Sequence, residues 1–118
     1  MITPIVVKGN VAALSATMTH HQDVGGMSPG SVPTNAVEIF QEGLRIPPLK
    51  LRDAGVYNET LVALIRQNVR IPDIVMGDLN AQIAACNVGA RRVGHLVEML
   101  GEELMARIFP SFSTARST

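Results

Sequence analysis

The sequence predicts an α+β fold: a β-rich N-terminal half carrying a Gly/Pro-rich site loop, then a helical C-terminal half, together one domain or a piece of a larger one. Three observations support this. β-branched clusters separated by turn residues dominate up to Leu51, whereas after Asn58 the apolar residues recur at helical spacing. Aromatic residues are scarce, with three Phe, one Tyr and no Trp. Aromatic side chains make the largest single burials, so such a core is expected to be completed by a partner surface.

Taken in order, Pro4-Ile5-Val6-Val7-Lys8 is a short β-branched run, Gly9-Asn10 a turn pair and Val11 to Met18 a second apolar run. Together they predict a hairpin. From Gly25 to Pro33, three Gly, two Pro and two Ser within nine residues forbid regular helix and favour tight turns. Val37-Glu38-Ile39-Phe40-Gln41 is expected to form a short strand. Leu44 to Leu51, with Pro47-Pro48 removing two backbone donors, is expected to be an edge or extended segment.

Asn58 can cap a helix whose apolar positions Leu61, Val62, Leu64 and Ile65 recur at three- and four-residue spacing, ending near Asn68. Pro72 permits a second start, since a missing N–H costs nothing in a first turn. A helical stripe then runs through Ile74, Val75, Leu79, Ile83, Val88, Val93, Leu96, Val97 and Leu100, with Gly77 and Gly89 as breaks to be considered. Residues 102–108 add a further turn or two. The expected organisation is a partial domain over residues 1–108 and a disordered tail over residues 109–118, where Pro, Ser and Thr replace any periodicity.

Ten basic residues balance ten acidic ones without a cationic run, which argues against a nucleic-acid partner. Apolar runs are interrupted well short of the roughly 20 residues that span a bilayer, so no membrane role is expected. The opening "MITPIVVKGN" lacks the charged and apolar regions of a signal peptide. The single Cys86 suits a reducing cytoplasm and is most simply a small core residue.

Groups capable of chemistry concentrate in "THHQDVGGMSPGS", residues 19–31. His20 and His21 are adjacent and point to opposite sides of an extended segment, so one metal is not expected to take both. Asp23 is close enough to share a metal with an imidazole or to orient it. A divalent ion such as Mn²⁺, Zn²⁺ or Mg²⁺ suits this mixed set, and a solvated polar turn is the alternative. Gly25 and Gly26 can bring backbone N–H groups against a ligand, or simply make a turn-rich connection. Ser28 and Ser31 read as turn hydroxyls, lacking an evident base. Arg45 can hold a carboxylate through its planar fork, with Glu38 and Glu42 nearby, or form an ordinary surface ion pair. Arg66, Arg70, Arg91 and Arg92 read as solvated surface.

Four segments, "HHQDVGGMSPGS" (20–31), "EIFQEGLRIPPLKL" (38–51), "NETLVALIRQNVRIPD" (58–73) and "GDLNAQIAACNVGARR" (77–92), together resemble the hydantoinase B/oxoprolinase family. The resemblance covers about residues 3–100 and implies a B-type component of an ATP-dependent hydrolase that opens a cyclic amide, a hydantoin or 5-oxoproline. Its ATP-using partner would be a hydantoinase A-type subunit or domain, making a hetero-oligomer. It implies His20 as the metal ligand, His21 and Asp23 as supporting catalytic groups, and Gly25, Gly26, Ser31 and Arg45 as the substrate loop. The family's metal site also draws a His-x-x-Asp from an upstream "GTHxxD" segment, which does not precede "HHQD" here. The isolated fragment is therefore expected to be inactive. The alternatives are a component of an ATP-dependent ketone carboxylase, or a truncated non-catalytic assembly fragment.

Overall fold

The computed structural model describes residues 1–108. The elements are β1 (Ile2–Val7), β2 (Asn10–Ala16), β3 (Arg52–Asp53), β4 (Val56–Tyr57), α1 (Glu59–Asn68), α2 (Pro72–Leu100) and α3 (Glu102–Ile108), with single 3-10 turns at Pro29–Ser31 and Ile39–Gln41. The α+β class stands. The chain divides into two compact units, one formed by Met1–Thr19 with residues 80–108, the other by His20–Leu79. The tail expected to be disordered lies outside the described residues.

In the first unit β1 and β2 pair antiparallel, from Ile2 opposite Ala16 to Val7 opposite Asn10. The turn residues are Lys8 and Gly9, both at positive φ, rather than Gly9-Asn10. Two consecutive positive φ values match the right-handed strand twist, which is why this turn wins and Asn10 enters the strand. The register shifts between Ile5 and Val6, where Ala12 is the extra residue of a bulge. Ile5 faces inward and is buried, as are Cys86, Val97 and Met105. The Cys86 thiol donates to the Ser15 carbonyl at 3.6 Å and lies 3.7 Å from Thr17 Oγ1, so this part of α2 packs close under β2. Gly89 permits that approach, since a Cβ there would stand 2.7 Å from Ser15 Oγ. Neither Gly77 nor Gly89 breaks α2; an interior glycine costs only about 1 kcal/mol relative to alanine. Gly101, in the left-handed region, ends α2 with its N–H on the Val97 carbonyl at 2.9 Å.

In the second unit Leu61 and Ile65 of α1 and Val75 of α2 form a buried cluster, with Leu44, Leu51, Val69, Ile71 and Leu79 packed against it. Asn58 caps α1 as its sequence predicts, accepting from Leu61 N at 3.1 Å. The strand expected at Val37–Gln41 is instead a 3-10 turn. Glu38 and Gln41 form a reciprocal capping box there, and Gln41 Oε1 accepts from Val37 N and Glu38 N. Local side-chain bonds thus take the backbone donors that a strand needs. Val37 is 90% exposed, so no buried face opposes them. Leu44–Leu51 joins no ladder, and β3 and β4 close a small hairpin on Ala54-Gly55.

Candidate functional site

The glycine-rich loop of the second unit is built around Asp23. Its side chain is only 2% exposed and points inward. Oδ1 accepts from Gly25 N at 2.8 Å and Arg70 N at 3.1 Å, while Oδ2 accepts from Gly30 N at 3.1 Å and Arg70 Nη1 at 3.0 Å. Burial pushes the carboxyl pKa up, but the backbone N–H groups of Gly25 and Arg70, the Arg70 guanidinium and the Gly30 N–H outweigh it. The pKa falls from 3.8 to about 2, so the group is ionised at neutral pH.

Arg70 sits in the three-residue connection between α1 and α2 and reaches back across the loop. Besides Asp23, its Nη1 donates to Gly25 O at 3.3 Å and Ser28 O at 3.1 Å, and Nη2 to Gly26 O at 2.6 Å. Arg70 is a surface residue as its sequence context suggests, with its side chain 39% exposed, but its guanidinium is engaged with the loop. The rigid five-donor fork explains the choice of Arg, since one planar head serves a carboxylate and several carbonyls together. Nothing local in the sequence announces this pair, whose members are 47 residues apart. The one available signal is that Asp23, if buried, requires a cation.

Ser31 Oγ accepts from Val24 N and donates to Gly25 O, both at 2.7 Å, as a turn hydroxyl does. Gly25 and Gly26 have φ of 83° and 84°. A Cβ at Gly25 would stand 2.5 Å from Asn68 O, and one at Gly26 2.7 Å from Gln41 O. Close backbone approach is therefore what both glycines supply. Met27 N to Gln41 O at 2.8 Å and Leu44 N to Val24 O at 2.7 Å tie the loop to the following segment. His20 is exposed and His21 half-buried on the chain entering the loop. Gln22 N, just after them, donates to Asp78 Oδ2 of α2 at 3.2 Å.

Beside the loop lies an open cleft of about 830 Å³, lined by Gly26, Phe40, Gly43, Leu44, Arg45, Ile46, Pro47 and Asn68. The Arg45 guanidinium stands over the Phe40 ring, 5.1 Å from its centroid. Of the residues expected to form a site, Gly26 and Arg45 line this cleft. His20, His21, Asp23, Gly25 and Ser31 do not. The sequence reading missed Asn68 and Phe40, which lie in an apparent helix and an apparent strand.

The resemblance implies a metal for this loop. The Asp23 carboxylate is occupied by backbone donors and Arg70, and among the described residues no group of three or more His, Cys, Asp or Glu side chains is placed to hold a metal. These residues do not by themselves fit a metal centre, which ordinarily takes at least three protein ligands.

A model of the hydantoinase B/oxoprolinase family matches residues 1–115 of the chain. The sequence is 37% identical over 99 residues to the B component of a putative D-/L-hydantoinase of Pseudomonas sp. (strain NS671), covering 83% of this chain and 17% of that protein. It is 41% identical over 100 residues to the beta component of the caprolactamase of Pseudomonas jessenii, covering 85% of this chain and 17% of that protein. The crystal structure of the ATP-dependent caprolactamase from the same organism superposes with a TM-score of 0.64 at 36% identity, covering 79% of this chain and 16% of that one. The chain thus spans about a sixth of the length of these relatives. Among the described residues no helix is long and apolar enough to cross a membrane.

Proposed function

The chain belongs to the hydantoinase B/oxoprolinase family, and on that premise we propose that it forms part of the B-type component of a cytoplasmic, ATP-dependent hydrolase that opens a cyclic amide. The observation that carries this reading is the identity to the B component of a hydantoinase and to the beta component of a caprolactamase over most of the chain. Both names denote one subunit of several, which supports a hetero-oligomer with an A-type partner. In this scheme the partner uses ATP to phosphorylate the ring amide. That step removes the resonance that makes an amide resistant to water, and the B-type component receives the activated ring.

This chain's contribution is positional. Arg70 and the buried Asp23 hold Gly25 and Gly26 in a conformation that a side chain would obstruct, and of the two Gly26 lines the cleft. A loop fixed on a rigid scaffold holds its ligand contacts without reordering them at each turnover. His20 is assigned as one metal-ligating imidazole, with His21 as its neighbour. The remaining ligands would come from elsewhere in the assembly.

The test is a chimera in which this chain replaces its matching stretch of the caprolactamase beta component, assayed with the companion subunit. ADP release coupled to opening of caprolactam, hydantoin or 5-oxoproline is expected. ATP-dependent carboxylation of a ketone without ring opening would favour the carboxylase alternative. An inert but assembled chimera would favour a purely structural module.

A further inference from the structure

The cleft beside the glycine loop has one formal charge on its walls, the Arg45 guanidinium, and among the described residues no carboxylate lines it. The other arginines of this unit are engaged: Arg70 with Asp23, Arg66 with Asp73 at 2.7 Å, and Arg52 with the Gly55 carbonyl. Arg45 instead stands over the ring of Phe40, a residue 70% exposed, and makes no ion pair among the described residues. A guanidinium stacked on a ring keeps its N–H edge free for an incoming oxyanion, which it can meet through two parallel bonds.

A second polar residue, Asn68, lines the same cleft. Asn68 donates its Nδ2 to the Leu64 carbonyl at 2.8 Å, which fixes the side-chain amide and leaves Oδ1 as an acceptor. The remaining walls are Leu44, Ile46, Pro47, Phe40 and the side-chain-free backbone of Gly26 and Gly43. At about 830 Å³ the open cleft, with Arg45 and Asn68 among its apolar neighbours, has the size of a small-molecule site.

We propose that this cleft is an oxyanion-recognising subsite: Arg45, seated on Phe40, grips a carboxylate or phosphoryl group carried by a small ring, and Asn68 Oδ1 accepts from the ring N–H. Arg45 is then the residue that selects charged over neutral ring ligands. The ring class rests on the function proposed above; the preference for an anion does not. The carboxylate would belong to the ring itself, whereas a phosphoryl group would arrive with the activated ring.

The test is an NMR titration of the full 118-residue chain with three probes: 5-oxoproline, 2-pyrrolidinone (the same ring without the carboxylate) and inorganic phosphate. The wild type is compared with Arg45→Met and Arg45→Lys, each checked for native amide dispersion. Because Arg45 lines an open cleft rather than the buried cluster, neither variant is expected to unfold. 5-Oxoproline should shift the Gly26, Gly43 and Asn68 side-chain amide resonances and bind roughly tenfold or more tightly than 2-pyrrolidinone, and Arg45→Met should erase that difference. Arg45→Lys should restore it in part. If phosphate alone moves these resonances in an Arg45-dependent way, the anion is phosphoryl. Equal binding of the two rings without an Arg45-dependent phosphate response, a preference that survives Arg45→Met, or no shift with any probe would overturn the proposal. The titration needs neither ATP nor partner. An inactive chimera with Arg45-dependent binding therefore defeats only the hydrolase reading, and an active chimera with Arg45-independent binding defeats only the subsite.

Discussion

Replacing Arg70 with alanine removes the guanidinium that joins Asp23 to the carbonyls of Gly25, Gly26 and Ser28. Asp23 keeps its backbone donors from Gly25, Gly30 and residue 70, but its buried charge loses its counterion. Breaking a fully buried ion pair costs about 3–5 kcal/mol, and the 39% exposure of the Arg70 side chain lets water replace part of the loss. An expected cost of about 2–3 kcal/mol follows, a large share of the roughly 5–15 kcal/mol that holds a typical domain. Urea unfolding at neutral pH should show it as a lower midpoint at unchanged slope. Hydrogen exchange should quicken at Gly25 and Gly30, whose N–H groups face the Asp23 carboxylate. Arg70→Lys should recover less than half, because an ammonium cannot span the carboxylate and the carbonyls at once. A change within about 0.5 kcal/mol, with exchange unaltered, would refute the view that Arg70 organises the loop.

Two further predictions concern the same loop. Gly25→Ala should cost about 2–3 kcal/mol, because the new Cβ meets Asn68 O at 2.5 Å and the residue is at positive φ; Gly30→Ala, at positive φ in open space, should cost about 1 kcal/mol, and equal losses in thermal melts would contradict the close approach. Asp23 has its pKa depressed from 3.8 to about 2, so its contribution, on the order of 2 kcal/mol, is present above pH 3.8 and lost as pH falls towards 2. Asp23→Asn should flatten this acid limb in urea midpoints measured between about pH 5 and pH 2, and an unchanged slope there would remove Asp23 from the account.

The elements readable from the sequence are those whose signal is local and repeated. Leu61 and Ile65 mark the buried face of α1, Asn58 its start, and the β-branched runs on either side of Gly9 the first hairpin. The misread elements are short or contested. At Val37–Gln41 a β-like composition is overruled by the Glu38/Gln41 capping box, a signal present in the sequence. The ladder of β3 and β4 is only two residues per strand, too short to show alternation.

The candidate site was legible as a composition but not as a geometry. "HHQDVGG" identifies the loop, and nothing in it shows that Asp23 turns inward to Arg70 rather than outward beside His20. That choice depends on a donor 47 residues away. Arg45 and Gly26 share a cleft for a similarly non-local reason, the backbone bonds that bring Val24–Met27 against Gln41–Leu44.

Whether this chain serves the B-type step proposed above, after ATP-dependent activation, is read out by His20→Ala in the caprolactamase chimera. ADP formation and ring opening are followed together in the same reaction. Ring opening should fall by roughly a hundredfold or more while ADP formation persists, because the His20 imidazole is assigned to the B-type component and ATP use to its partner. Ring opening at the parental rate, still coupled to ADP formation, would contradict that assignment.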